Sequence, residues 1–240
     1  MPTFRSKIGR TLIPLLPVNR RTFDILRYEL NSITLRAGNF ANPVFWAKVH
    51  RLRKQRGLSI NLGSGGYGKP DWINIELRKQ RDTTLSLDIR RPLPFSDCSA
   101  RRVLAEHVLE HLDFRTDALT LAREVYRVLE RGGTFRVVVP DCKRYLQAYV
   151  SGRAEDWAAL GWHFQDMPDD IYTPMHIINH TFHQSGEHLF GYDFETLKLL
   201  LERAGFSDIR QRSFRESHDR DVAIDLEVHR PYSLYVDSVK

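Results

Sequence analysis

The sequence predicts an α/β domain whose mostly parallel sheet is covered by helices on both faces, and three observations lead there. From Leu58 onward, short apolar runs alternate with helical patterns. A glycine-rich turn, Gly63-Ser64-Gly65-Gly66-Tyr67-Gly68, follows directly on the apolar segment Leu58 to Leu62. Farther on, Ala118, Leu121, Ala122, Val125, Val128 and Leu129 recur at helical spacing ahead of another apolar run.

The elements follow in order. Residues 1 to about 20 read as irregular and basic, and 21 to 55 as helical in pieces, broken near Gly38 and Pro43; together residues 1–56 form an N-terminal extension. The main domain, 57–240, opens with strands at 58 to 62, 73 to 77, 102 to 106 and 134 to 139, and Gly132-Gly133 is expected to stop the helix before the last of these. Residues 141 to 192 lose the periodicity, hold five histidines and read as an irregular insertion over the active site. The rhythm then resumes. Asp193 is the expected N-cap of a helix carrying Phe194, Leu197, Leu201 and Ala204 and ended by Gly205, before strands at 208 to 214 and 233 to 239.

At 240 residues and 42% hydrophobic content, the chain is long enough for one substantial core plus an appendage. The two cysteines, Cys98 and Cys142, lack CxxC spacing, so neither a disulfide framework nor a cysteine zinc site is expected, and a reducing, cytoplasmic setting fits. The apolar stretch from Thr11 to Val18 is about half of what spans a bilayer. Arg5, Lys7 and Arg10 before it imitate a signal peptide, yet it runs into Asn19-Arg20-Arg21 without a small-residue cleavage site, so secretion is not expected. The net charge of +6 favours phosphorylated substrates, nucleic acid or anionic surfaces. The basic run at 48 to 56 reads as a solvated helix end, because it lacks interleaved aromatics for base stacking.

Gly63, Gly65 and Gly68 satisfy GxGxxG, in which missing side chains let backbone approach a ligand at a helix start. A tight turn and a dinucleotide oxidoreductase share that pattern. Glu76, however, stands only 13 positions after Gly63, where the dinucleotide fingerprint expects an acid about 20 residues on. Asp88 precedes Ile89-Arg90-Arg91-Pro92-Leu93-Pro94-Phe95, and Glu106-His107-Val108-Leu109-Glu110-His111-Leu112 follows at a strand end.

In that order these segments resemble the class I methyltransferases that use S-adenosylmethionine, of the type 11 kind often associated with saccharide biosynthesis. The resemblance runs from about residue 57 to the end. It implies a seven-stranded Rossmann-like sheet, mostly parallel with an antiparallel last strand, and methyl transfer that leaves S-adenosylhomocysteine. It assigns Gly63 and Gly65 to the methionine and ribose end of the cofactor and Glu76 to the ribose hydroxyls. Asp88 and the backbone of Ile89 would hold adenine, and Glu106 would sit beside the cofactor. Asn61 stands where many relatives carry an acid, so a charge that helps hold the methionine ammonium is missing. From Gly65 to Ile73 there is also little room for the usual crossover helix.

His107 and His111 have the i, i+4 spacing of one helix face, but the glutamate order is not that of the HExxH zinc helix, so a structural or site-lining role is expected. His176, His180, His183 and His188 form a second group in the insertion. Without nearby cysteines no metal is expected there, and the general base is sought among His176, His180 and His183, with His107 in reserve. The expected acceptor is a small polar molecule or saccharide, through a hydroxyl. An RNA or other nucleic-acid methyltransferase is the alternative, although Val139-Pro140-Asp141 stands where an NPPY tetrad would fall. A non-catalytic S-adenosylmethionine-binding protein and an NAD-dependent oxidoreductase are the remaining alternatives.

Overall fold

The computed structural model describes residues 19–168 and 171–240, so the stretch read as irregular and signal-like lies outside the described residues. The chain divides into two compact units, Met1–Trp46 and Ala47–Lys240. Within the first, helix α1 (Arg20–Ala41) starts at Asn19, whose side chain accepts from Thr22 N at 2.9 Å. It runs through Gly38 without a break and ends at Asn42, which caps the next helix, α2 (Pro43–Arg53), by accepting from Val44 N at 3.0 Å. The interruption is therefore made by Asn42-Pro43 alone. No helix among the described residues is long and apolar enough to cross a membrane.

The second unit contains a seven-stranded sheet: β1 (Leu58–Leu62), β2 (Ile73–Glu76), β3 (Leu85–Ser86), β4 (Ala100–Glu106), β5 (Leu129–Pro140), β6 (Asp208–Arg212) and β7 (Ser233–Val239). The spatial order is β3-β2-β1-β4-β5-β7-β6. The first five strands pair in parallel, and β7 runs antiparallel between β5 and β6, as the sequence predicted for the last strand. Strand β3 has only two residues, too few for an alternating pattern to be read.

Helix α3 (Leu119–Val128) presents Leu121, Ala122, Val125 and Val128 to the core. It stops at Val128, where Leu129 turns extended; Gly132-Gly133 does not stop it but lies inside β5, where a Cβ on Gly133 would meet carbonyl oxygens at 2.9 and 3.0 Å. After β5 come α4 (Cys142–Ser151), α5 (Ala154–Ala158), α6 (Pro174–His183) and α7 (Phe194–Ala204). The cap of α7 is the expected one: Asp193 accepts from Thr196 N at 2.9 Å, and Gly205 ends the helix at φ +112°. Helices α3 and α7 cover one sheet face, where Tyr126, Phe206 and Phe135 meet.

Two further sequence expectations fail for identifiable reasons. Residues 141 to 192 are not irregular: α4, α5 and α6 enclose a small core of Tyr145, Ala148, Trp157, Leu160, Ile171 and Ile177, hidden from pattern reading by the aromatics and short helices. The second failure concerns the connection from β1 to β2, which contains turns and no helix, so the glycine loop does not open a helix.

The opposite sheet face at β4, β5 and β7 is covered by the connection between β6 and β7. Val222, Ile224, Phe214 and Trp72 pack there on Leu104, Val138 and Tyr235. Alternation along the strands puts Arg102, Thr134, Arg136 and Asp237 on the same face. Arg136 is fully buried and each of its five N–H donors is used: Nε and Nη2 grip Asp225 at 2.7 and 2.6 Å, Nη1 reaches Asp237 at 2.7 Å and Glu216 O at 3.0 Å, and Nη2 also donates to Ser213 O at 3.2 Å. Burial disfavours the guanidinium charge, but the two aspartates outweigh it and raise the Arg136 pKa. Farther along the face, Arg102 binds Asp219 at 2.7 Å and Asp221 at 3.0 Å.

Arg136→Met would leave Asp225 buried without its cation and Asp237 with only the Arg212 guanidinium at 3.4 Å. We expect a loss of about 3–5 kcal/mol, the range for breaking one side of a buried ion pair, read as a lowered urea midpoint.

Candidate active site

The site is built at the carboxyl ends of the central strands, where open α/β sheets place ligands. Gly63 at φ +60° follows β1, and a Cβ there would lie 2.5 Å from Val108 Cγ2, so the loop crosses Val108 closely. Gly65 has φ +51°, and the space above it is open. Its N–H donates to Glu76 Oε2 at 2.9 Å, and Glu76 Oε1 accepts from Arg78 N at 3.2 Å. Asn61 is buried and donates to Asn74 Oδ1 at 3.0 Å; that oxygen also accepts from Lys69 N at 2.8 Å. Thus Asn61 and Glu76 both brace the glycine loop. Ser64 Oγ is buried with no hydrogen-bond partner among the described residues.

Asp88 follows β3, its side chain nearly fully buried and gripped by Arg90 Nε at 2.9 Å and Nη2 at 3.0 Å, with half-buried Ile89 between them. The open approach over Gly65, the partnerless Ser64 hydroxyl and two carboxylates along one edge fit a cofactor with a polar ribose.

Beyond β4 the two predicted histidine groups are rearranged. His107 is not helical: its φ of +54° is rare for a residue with a side chain and turns the chain sharply. Residues Leu109–His111 make only one 3-10 turn, so His107 and His111 do not share a helix face. The ring of His107 places Nε2 at 2.8 Å from Ser233 Oγ and Nδ1 at 3.0 Å from Glu110 Oε1, the latter as an ion-pair contact. His111 turns instead toward His188, with ring centroids 4.8 Å apart. His176, His180 and His183 stand exposed on α6; His176 is held by Thr173 Oγ1 at 2.9 Å and His180 lies edge-on to Trp162. Only His188 of that group is buried, and burial lowers its pKa against the Thr181 carbonyl bond that raises it.

A histidine absent from the sequence reading completes the arrangement. His229, in the β6–β7 connection, stacks on His107 at 3.9 Å between centroids, and its Nδ1 lies 2.9 Å from Glu106 Oε1. The same oxygen accepts from Leu226 N at 2.9 Å. Burial works to raise the Glu106 pKa, but the bonds from His229 and Leu226 prevail and lower it. Nε2 of His229 has no hydrogen-bond partner among the described residues. Tyr232 packs edge-on to both rings, and burial pushes its phenol up to about 12, so it stays protonated at neutral pH. It also touches the small core of the insertion. The one signal in the sequence was the company of His229 with Tyr232 and Ser233 just before β7, whose antiparallel direction brings its first residue to the same end of the sheet as Pro140.

Residues 72–137 match the family model described as a methyltransferase domain. No curated protein matches the chain. Similar solved structures include a SAM-dependent methyltransferase, possible histamine N-methyltransferase, from Thermotoga maritima (16% identity, 90% of this chain and 95% of that one, TM-score 0.45). Others are a SAM-dependent methyltransferase from Archaeoglobus fulgidus (15%, 89% and 99%, 0.46) and a 1,6-didemethyltoxoflavin-N1-methyltransferase from Burkholderia thailandensis with bound S-adenosylhomocysteine (11%, 94% and 91%, 0.45).

The geometry of the loop makes a direct prediction. Gly63→Ala combines a left-handed backbone with a clash on Val108, which we expect to cost about 1–3 kcal/mol. Its denaturation midpoint should fall, whereas an alanine at Gly132, with open space around it, should show only the backbone part of that loss. Residues 72–137, matched to a methyltransferase domain, thus lie within a seven-stranded, mostly parallel Rossmann-like sheet.

Proposed function

We infer that the protein methylates a hydroxyl of a small polar acceptor, with His229 as general base and Glu106 as its positioning partner. The observation that carries this reading is the Glu106–His229 contact of 2.9 Å at the end of β4, with Nε2 left open. A carboxylate only accepts, so Nδ1 carries the proton and Nε2 offers its lone pair. S-adenosylmethionine supplies, when bound, a methyl carbon made electrophilic by its sulfonium.

The chain's residues then have separable tasks. Gly63 and Gly65 would let the backbone approach the methionine and ribose, Glu76 would accept from the ribose hydroxyls, and Asp88 with Ile89 would hold adenine. Asn61 holds the loop through Asn74 rather than supplying charge. His229 Nε2 is placed to take the proton of an acceptor hydroxyl, and Glu106 would stabilise the resulting imidazolium. Tyr232 stays a neutral phenol and offers a hydrogen bond. His107 shapes the floor beneath His229. The exposed rings of His176, His180 and His183 are better suited to contacting an acceptor at the rim than to removing its proton. A saccharide is the favoured acceptor through the resemblance of the motifs to type 11 methyltransferases.

Calorimetry should show S-adenosylmethionine binding in the micromolar class, about −8 kcal/mol. His229→Ala should keep that affinity and lose roughly 100-fold or more in turnover on whichever acceptor a labelled-donor screen finds. Full turnover in His229→Ala, with loss in His176→Ala, His180→Ala or His183→Ala, would move the base to α6. Binding of NADH without S-adenosylmethionine would defeat the whole reading.

A further inference from the structure

We propose that Glu110, His111 and His188 form a binding site for one divalent transition-metal ion of the zinc class. Their donor atoms all lie within 4.8 Å of one another. Ligands of a tetrahedral ion sit roughly 3.4 Å apart at bond lengths near 2.1 Å, so small side-chain rotations close the set.

Three features make this more than a chance cluster. The Glu110 side chain is 2% exposed, and neither carboxylate oxygen has an aligned hydrogen-bond partner among the described residues. His107 Nδ1 touches only one of those oxygens, leaving a buried anion that a cation would neutralise. Second, both imidazoles are oriented by carbonyl groups, which can only accept. Thr181 O holds His188 Nδ1 at 2.6 Å, and Glu187 O holds His111 Nδ1 at 3.0 Å. Each Nδ1 therefore carries a proton, which leaves Nε2 as the atom of each ring that can ligate, an arrangement typical of metal-ligating histidines. Third, the two chain segments are fastened together before any ion arrives, because Glu110 O accepts from Leu189 N at 2.7 Å and Phe190 N at 3.2 Å.

Two histidines and one carboxylate are the donor set of catalytic zinc and of open non-haem sites, and three protein ligands leave a position for an outside oxygen. His111 is half-buried, which gives the ion a path from solvent. The site is also near the methyl donor's expected place, since Val108, two residues before Glu110, packs on Gly63. That neighbourhood suggests an acceptor hydroxyl as the outside ligand, its acidity raised by the ion. The acceptor role rests on the methyl-transfer reading; metal binding does not.

The test uses the full chain, stripped with chelator and titrated separately with Zn2+ and with S-adenosylhomocysteine. One Zn2+ per chain should bind, and Co2+ in its place should give visible absorption of a histidine-ligated ion. His111→Ala, at a half-buried position, and His188→Ala should each weaken Zn2+ by about 100-fold or more, with S-adenosylhomocysteine affinity unchanged. No stoichiometric uptake, or uptake equal to wild type in His111→Ala, would overturn the proposal; His111→Ala alone decides if His188→Ala does not fold. Zinc bound in a protein that fails to bind S-adenosylhomocysteine would leave the metal site standing and remove the methyl-transfer reading instead.

Discussion

A single buried cation, the Arg136 guanidinium, fixes the part of the chain on which the candidate chemistry depends. It sits in the interior of β5 between Asp225 and Asp237, with carbonyls of Ser213 and Glu216 completing its donors. Removing a guanidinium from water is expensive, and only a full set of well-aligned acceptors offsets that cost. The acceptors come from β7 and from both limbs of the β6–β7 connection, so satisfying Arg136 folds the connection onto the sheet. Asp225 is followed by Leu226, whose amide reaches Glu106, and then by His229 on the same carboxylate. On the other side Lys69, from the glycine loop, donates to Ile224 O at 2.8 Å, and burial lowers its pKa despite the pull of Glu106 and Asp225. The ion cluster thereby links the glycine loop and the proposed base.

This connection also explains how the sheet manages without a helix after β1. The interval from Leu62 to Ile73 is too short for a crossover helix, and the exposed apolar face of β4, β5 and β7 still requires a cover. Val222 and Ile224 provide it, together with Trp72 from the shortened crossover itself. The consequence for the site is a glycine loop held by side chains, Glu76 on Gly65 N and Asn74 on Lys69 N, in place of a helix start. The basic charge of the chain is partly internal for the same reason, since Arg102 and Arg136 face aspartates within the fold rather than an external anion.

The sheet was legible in the sequence wherever an apolar run was long enough to alternate, which covers β1, β2, β4, β5 and β7, and the Asp193 cap and Gly205 stop were legible as local chemistry. The histidines were not. The spacing of His107 and His111 matches a helix face only if the chain is helical there, and the left-handed turn at His107 sends its ring to Ser233 and His229 while His111 faces His188. His111 meets His188 and Glu106 meets His229 across intervals that no periodicity spans. Arg136 and Asp237 did carry a signal, because charges in the middle of otherwise apolar strands require internal partners. Reading them that way would have pointed to the acidic stretch from Asp219 to Asp225, and through it to the histidine that follows.

Hydrogen–deuterium exchange on Asp225→Asn tests this dependence most directly. If the buried ion cluster holds the connection in place, amides from Val222 to His229, Leu226 above all, exchange faster in the variant while those of β4 and the first part of β5 keep their protection. Unchanged exchange at Leu226 would show that the connection and its histidine are held by something other than Arg136.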